Sequence, residues 1–295
     1  MLRDPHPIIF VLLCLTLAGC TTSTTQQNQE DSAPVPPAFI QALTLYASFD
    51  GEAADKAQGD AQLYSAASRD PQDTVVSGIG AASQVSLAPG AGYRGGALKF
   101  DAKTSNVVFF RCSENLAYST SEWSGTVSFW LKLDPAVDLE PGFCDPIQIT
   151  DVNYNDASLW VDFTGENPRD FRLGVIGDLN HWDPEGAGPT DNPEFDRRLV
   201  VVKQPPFSRE AWTHIAIAYD QLNGSGTATL YVNGEAQGTI DPVTDPFTWD
   251  VSKANMYLGL NYIGLYDELS VYNRALSSDE IAALTGLEGS LKDLL

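Results

Sequence analysis

Val127-Ser128-Phe129-Trp130-Leu131-Lys132 decides the class of fold. Val127, Phe129 and Leu131 alternate with Ser128, Trp130 and Lys132, and a period of two marks a β-strand with one face in a core. The same period recurs on both sides of this segment. Leu43, Leu45, Ala47 and Phe49 alternate with Thr44, Tyr46 and Ser48, and Leu159, Val161 and Phe163 alternate with Ser158, Trp160 and Asp162. Further strands are expected over 97–100, 106–110, 171–176, 198–203, 213–219, 227–232, 257–260 and 266–272. Tyr231-Val232-Asn233-Gly234 ends in Asn-Gly, whose tolerance of positive φ fits a type I′ hairpin turn. The one convincing helix covers 278–284, where Ser277 and Glu280 make a capping box and Ile281 and Leu284 share a face. Many strands, Gly/Pro/Asn turns and one terminal helix specify an all-β fold, a two-sheet antiparallel jelly-roll sandwich with a short C-terminal helix. No internal repeat and no second linker divides the body.

The 295 residues carry 17 Lys+Arg against 39 Asp+Glu, a formal net charge of −22. That balance excludes nucleic acid as a partner, because phosphates are repelled and no basic stripe exists to hold them. It also excludes docking on anionic lipid through basic side chains. Hydrophobic residues at 43% and aromatics at 10% exclude disorder of the whole chain. With 3 His and 4 Cys, little material is left for a zinc site or a Cys/His hydrolase.

Residues 8–17 form an apolar run broken only by Cys14 and Thr16. It falls short of the roughly 20 residues that span a bilayer and suits the core of a signal peptide. Leu17-Ala18-Gly19-Cys20 resembles the lipobox of bacterial lipoproteins, although the charge of Arg3 is offset by Asp4. The resemblance implies cleavage before Cys20 and acylation of Cys20; a plain cleaved signal or a short buried strand is the alternative. Thr21, a residue other than Asp after the Cys, implies export to the bacterial outer membrane, facing the periplasm or the outside. The expected plan is a signal peptide over 1–19, a lipid-anchored flexible linker over 20–38, one domain over 39–288 and a tail over 289–295. The linker is rich in Thr, Gln, Ser and Pro and has too little apolar surface to offset its ordering entropy. Membrane contact is then through the anchor alone.

Five segments follow in order along the body. They are Gly95-Gly96-Ala97-Leu98-Lys99-Phe100, Gly125-Thr126-Val127-Ser128-Phe129-Trp130, Trp212-Thr213-His214-Ile215-Ala216, Leu230-Tyr231-Val232-Asn233-Gly234, and the run from Tyr266-Asp267-Glu268-Leu269 to Ala275-Leu276. The series resembles the laminin G-like group of concanavalin A-like lectin/glucanase domains, over roughly residues 43–287. The resemblance implies a jelly roll whose first and last strands are neighbours. Residues 134–197, long and rich in Pro, Asp and Asn, depart from short members and are expected to hold loops on one rim besides two strands.

Cys112 and Cys144 remain once Cys14 and Cys20 are assigned to the signal and the anchor. Two Cys in an exported domain suit a disulfide, two buried thiols being the alternative. Asp50, in Phe49-Asp50-Gly51, and Asp267 converge if the first and last strands pair, and hard oxygen ligands suit Ca²⁺. The resemblance implies such a structural calcium, with backbone carbonyls, one near Gly96, as further ligands. Otherwise Asp50 caps a turn and Asp267 is a solvated strand residue.

A binding face is expected where Trp160 and Asp162 point away from the core, with Trp130 on a similar outward face. A sugar ring stacks on an aromatic plane while carboxylates take its hydroxyls. Asp151, Asn155, Asp156, His181 and Trp182 are candidates for the rim, although strand Trp residues also serve merely to cover a sheet. Catalysis has less support. Glucanases of this fold use a Glu-x-Asp-x-x-Glu strand; Glu194-Phe195-Asp196 begins it, but Leu199 stands at the last position. No Gly-x-Ser-x-Gly, P-loop or His-Glu-x-x-His occurs. His214 lies in an apolar strand and is expected to be structural. The expected function is non-catalytic binding of a glycan or of an extracellular or envelope protein. A polysaccharide-active enzyme with an unfamiliar acid pair and a purely structural envelope protein are the alternatives.

Overall fold

Strands that are apolar on one face need a second layer to cover that face, and the chain supplies two sheets. The computed structural model describes residues 37–69 and 74–295; the expected signal peptide, Cys20 and nearly all of the linker lie outside them. The strands run β1 (Leu43–Ala47), β2 (Lys56–Ala57), β3 (Tyr64–Ala66), β4 (Val76–Ser77), β5 (Val85–Leu87), β6 (Leu98–Phe100), β7 (Val107–Arg111) and β8 (Trp123–Lys132). They continue as β9 (Cys144–Asn153), β10 (Asp156–Phe163), β11 (Phe171–Ile176), β12 (Leu199–Val202), β13 (Thr213–Leu222), β14 (Gly226–Val232), β15 (Glu235–Val243), β16 (Asn255–Leu260) and β17 (Gly264–Tyr272). Among the described residues four α-helices intervene or follow: α1 (Pro135–Asp138), α2 (Leu179–Trp182), α3 (Pro193–Asp196) and α4 (Ser278–Thr285).

The nine-stranded sheet has the order β15-β14-β13-β8-β17-β1-β2, with β6 on β17 and β5 on β6. The eight-stranded sheet has the order β12-β11-β10-β9-β16-β7-β3-β4. Every pairing is antiparallel, and Val127, Phe129 and Leu131 of one sheet share a single apolar core with Leu159, Val161 and Phe163 of the other. The first and last long strands are neighbours: Leu45 pairs with Val271, and the Phe49 and Tyr266 rings meet edge to face at 5.8 Å. Asn233 and Gly234 both take positive φ, 51° and 82°, in the β14–β15 turn. The Ser277/Glu280 capping box opens α4. The residues read as a tail pack on the domain, with Leu291 buried and the Tyr46 hydroxyl and Ser290 Oγ 2.6 Å apart.

Two expectations need correction. Residues 134–197 are not mainly rim loops, because they contain β9, a ten-residue strand in the middle of its sheet. The sequence hides it: Ile147 and Ile149 alternate with Gln148 and Thr150, but Asp145-Pro146 breaks the pattern at its start. A proline inside a sheet is tolerated at a bulge. Val161 pairs with Ile147 and Phe163 with Cys144, so Asp145 and Pro146 together stand opposite Asp162. That two-against-one count is a β-bulge, a device that re-aims side chains.

The second correction is the disulfide: Cys112 and Cys144 are free, buried thiols. The sheet order keeps them apart. β16 lies between β7 and β9. The Cys112 amide donates to the Ala254 carbonyl at one end of β16, whereas Asp145 pairs with Leu260 at the other. Six residues at about 3.3 Å each separate the two ends by roughly 20 Å, far beyond the Cα spacing a disulfide tolerates.

Candidate functional site

The outer face of the eight-stranded sheet carries a cleft of about 650 Å³. Its floor comes from three neighbouring strands, where cross-strand pairing aligns Gln148 of β9 with Trp160 of β10, and Asp162 of β10 with Arg172 of β11. Gly174 pairs with Trp160 and has no side chain, because a Cβ there would sit 2.2 Å from the indole. The bare backbone therefore lets the indole lie down across β11. Trp160 Nε1 donates to the Tyr154 carbonyl at 2.8 Å, and the ring of Phe195, carried by α3, stacks over it at 6.4 Å. Only 2% of Trp160 remains exposed, so it is a wall and not an open platform. The aromatic rings that the cleft presents to solvent are Phe143, 55% exposed, and Tyr154, 38% exposed.

The polar floor is a chain of contacts. Arg172 grips Asp162 with two hydrogen bonds, Nε to Oδ1 at 2.8 Å and Nη2 to Oδ2 at 2.5 Å. Its guanidinium lies 5.0 Å from the Phe143 ring centre and 5.6 Å from that of Trp160. Arg69 donates to Gln148 Oε1, and Gln148 Nε2 donates to Asp145 Oδ2. No described residue donates a hydrogen bond to Asp145 Oδ1. Burial, and then the charge of Asp162, hold the Asp145 carboxyl well above the usual carboxylate range. Burial also raises Asp162, against the pull of Arg172.

Of the residues expected to form the binding face, Trp160 and Asp162 line the cleft. Trp130 does not join them. It lies on β8 in the other sheet, and the Tyr93 ring stacks on it at 3.6 Å. A period of two reveals that a side chain leaves the core but not which sheet carries it. Asp151, Asn155, Asp156, His181 and Trp182 support the neighbouring loops and do not line the cleft. Asp156 Oδ1 accepts the Leu179 amide at 2.9 Å, the Asn155 carbonyl accepts Trp182 Nε1 at 2.9 Å, and Asp151 Oδ2 accepts the Asp250 amide at 2.8 Å. Trp182 packs on Phe195 at 5.5 Å, which braces the lid over Trp160. His181 is half-exposed, 3.6 Å from Asp245.

Nothing in the sequence pattern as read above points to Asp145, Gln148, Arg172, Phe143 or Tyr154. Arg172 alternates with Phe171 and Leu173 and was there to be read; Asp145 was concealed by the bulge. His214 is buried between Ser128 Oγ, 2.7 Å from Nε2, and Thr285 Oγ1, 2.8 Å from Nδ1. Burial depresses it to about 3, so it stays neutral.

A second constellation gathers at the loop over residues 92–96. Asp50 Oδ1 accepts the Gly96 amide at 2.8 Å, and Asp267 Oδ2 accepts the Arg94 amide at 3.0 Å. A Cβ on Gly92 would lie 1.9 Å from the Gly96 carbonyl oxygen and 2.6 Å from Asp267 Oδ2, so these two oxygens flank one point. A Cβ on Gly96 would lie 2.7 Å from the Phe49 carbonyl oxygen. Asp267 and the Gly96 carbonyl are oxygens of the kind a hard cation takes, while Asp50 stands beside the same loop with its Oδ2 3.3 Å from Lys292 Nζ. Among the described residues no group of three or more His, Cys, Asp or Glu could hold a metal, so carbonyls must complete any set. Burial pushes Asp267 up to about 8.

The family model described as the concanavalin A-like lectin/glucanases superfamily matches residues 105–282. No curated protein matches the chain. Among solved structures, the botulinum neurotoxin serotype D binding domain superposes with a TM-score of 0.53 at 12% identity, covering 85% of this chain and 53% of that one. A botulinum neurotoxin type C structure, whose cell entry depends on interaction with two ganglioside molecules, gives 0.52 at 15% identity, covering 84% of this chain and 51% of that one. Domain 4 of a GH43 extracellular arabinanase from Geobacillus stearothermophilus, in complex with arabinotriose, gives 0.49 at 17% identity, covering 82% of this chain and 98% of that one. At these identities the likeness is one of fold.

Proposed function

Because the chain belongs to the concanavalin A-like lectin/glucanases superfamily, we propose that it is a non-catalytic binding module that takes a glycan into the cleft on its eight-stranded sheet. The observation that carries this reading is the cleft itself. Exposed aromatic edges at Phe143 and Tyr154 stand over a floor of carboxyl, amide and guanidinium groups, the combination that holds a sugar ring by its C–H face and its hydroxyls. Fold alone could not choose, since one scaffold hosts many functions. An acid pair is present in Asp145 and Asp162, but Asp162 gives both its oxygens to Arg172, which leaves it a poor nucleophile.

Around this site the protein is exported and anchored by a lipid on Cys20. A Ca²⁺ held by Asp50, Asp267 and the carbonyls of Phe49 and Gly96 ties the ends of the first and last strands. The test is a glycan screen of the full chain, followed by titration of Phe143→Ala and Tyr154→Ala against the best ligand. Loss of affinity with an unchanged melting temperature supports the cleft. Affinity unchanged in both variants removes it.

A further inference from the structure

We infer that the cleft selects uncharged glycans and rejects those bearing a carboxylate, and that the Arg172–Asp162 pair sets this selectivity. The inference rests on the glycan reading and adds the charge class of the ligand. A carboxylate entering a half-enclosed site must find a cation in exchange for its hydration. Both guanidinium groups of this cleft already have carbonyl, amide or carboxylate partners. Arg172 is chelated by Asp162 and flanked by two aromatic rings. Arg69 donates to Gln148 Oε1 and, at 3.1 Å, to the Val152 carbonyl, and it lies 4.7 Å from the centre of the Tyr257 ring. Against these two cations stand the carboxyl groups of Asp162 and Asp196, and the third, Asp145, is held toward its neutral form by burial and by Asp162. The β-bulge aims Asp145 at Asp162, so a second acid backs the first.

A hydroxyl meets the opposite situation. Asp145 Oδ1 is a hydrogen-bonding oxygen on the floor to which no described residue donates, and a sugar hydroxyl satisfies it with no net charge to bury. The formal net charge of −22 works in the same direction at longer range.

The experiment pairs ligands that differ only in the charge of the carboxyl, oligogalacturonides against their methyl esters and sialyllactose against its methyl ester, titrated into the full chain. The neutral member is expected to bind about tenfold or more tighter in whichever pair binds. Asp162→Asn frees Arg172 and is expected to narrow the ratio about tenfold, with folding checked by near-ultraviolet circular dichroism. A carboxylated ligand that binds as tightly as its neutral partner, and competes with it, overturns the charge selectivity and leaves the glycan reading standing. A ratio unmoved in folded Asp162→Asn removes the role of the pair; if that variant does not fold, the wild-type ratios decide the selectivity and Arg172→Gln takes its place for the pair. If no member of either series and no glycan of the wider screen binds, both readings fall.

Discussion

The two outer faces of the sandwich are built from the same kind of strand and end differently. On the nine-stranded sheet, Leu43, Tyr46, Ala216, Tyr231 and Tyr272 are sealed beneath Phe39, Leu276, Ile281, Leu284 and Leu291. On the eight-stranded sheet, Trp160 and Ile176 are capped by Trp182 and Phe195, but Gln148, Asp162 and Arg172 open into the cleft. An aromatic on an outward strand position is therefore not by itself a binding residue. Trp130 and Trp160 occupy equivalent pattern positions, yet one is a packing element under Tyr93 and the other is the wall of a cavity. What separates the two faces is the chain that returns across each sheet: α4, the C-terminal residues and the loop carrying Tyr93 on one side, short loops with a gap on the other.

The strongest way to break that contrast is to truncate the sealed face. Ile281→Ala and Trp130→Ala are each expected to cost about 2–5 kcal/mol by denaturant unfolding, because both side chains are buried and surrounded. Glycan affinity of the folded fraction should stay unchanged. A variant that kept its stability and lost glycan binding would move the site to the nine-stranded sheet.

On the open face the balance reverses. Phe143→Ala and Tyr154→Ala remove exposed rings, so stability should move by no more than about 0.5 kcal/mol. Each should weaken glycan binding by about tenfold, the scale of losing one stacked ring with its buried area. Calorimetric titration beside a thermal melt gives both numbers. Gly174→Val sharpens the point, since its side chain must displace the Trp160 indole and deform the floor without touching the exposed rings.

A smaller effect depends on pH. Burial raises Asp267 to about 8 from an ordinary 3.8, and Glu268 to about 7 from 4.5. Between the ordinary and the raised values the folded chain holds more protons than the unfolded one, so stability falls as pH rises through that window. In chelator, the melting temperature should be lower at pH 8.5 than at pH 5.5, and Asp267→Asn should flatten the slope. Calcium added at pH 8.5 should restore what the chelator removed, if Asp267 ligates it. A melting temperature that rises steadily from pH 5.5 to 8.5 in chelator would contradict the burial of these two groups.

How far the sequence reaches follows from what alternation encodes. It reports which side chains leave the core, and it placed β8, β10, β11, β13, β14 and β17 near their observed bounds. The adjacency of the first and last strands was legible through the family resemblance. The cleft was legible only in Trp160 and Asp162, because its other members depend on facts that alternation does not carry. Asp145 sits in a bulge whose proline disguised the strand, and Gln148 belongs to that same unread strand. Tyr154 lies in the turn between β9 and β10, and Phe143 just before β9. Alternation groups Trp130 with Trp160 because both leave a core, and the assignment to sheets comes from long-range pairing.

The smallest expected effect falls on the cysteines, where the sequence and the fold disagree outright. A bridge closing a loop of the 33 residues from Cys112 to Cys144 would contribute about 3 kcal/mol in the chain-entropy model, so reducing agent would lower the melting temperature by several degrees. With the two thiols at opposite ends of β16, reducing agent should leave the melting temperature where it was. Burial raises both thiols well above their ordinary range, so neither is a thiolate at neutral pH. A thiol reagent should therefore leave both unlabelled in the native chain and modify both after unfolding. A shift on reduction would require β7 and β9 to abandon their separate places beside β16, and the cleft floor, built on β9, would go with them.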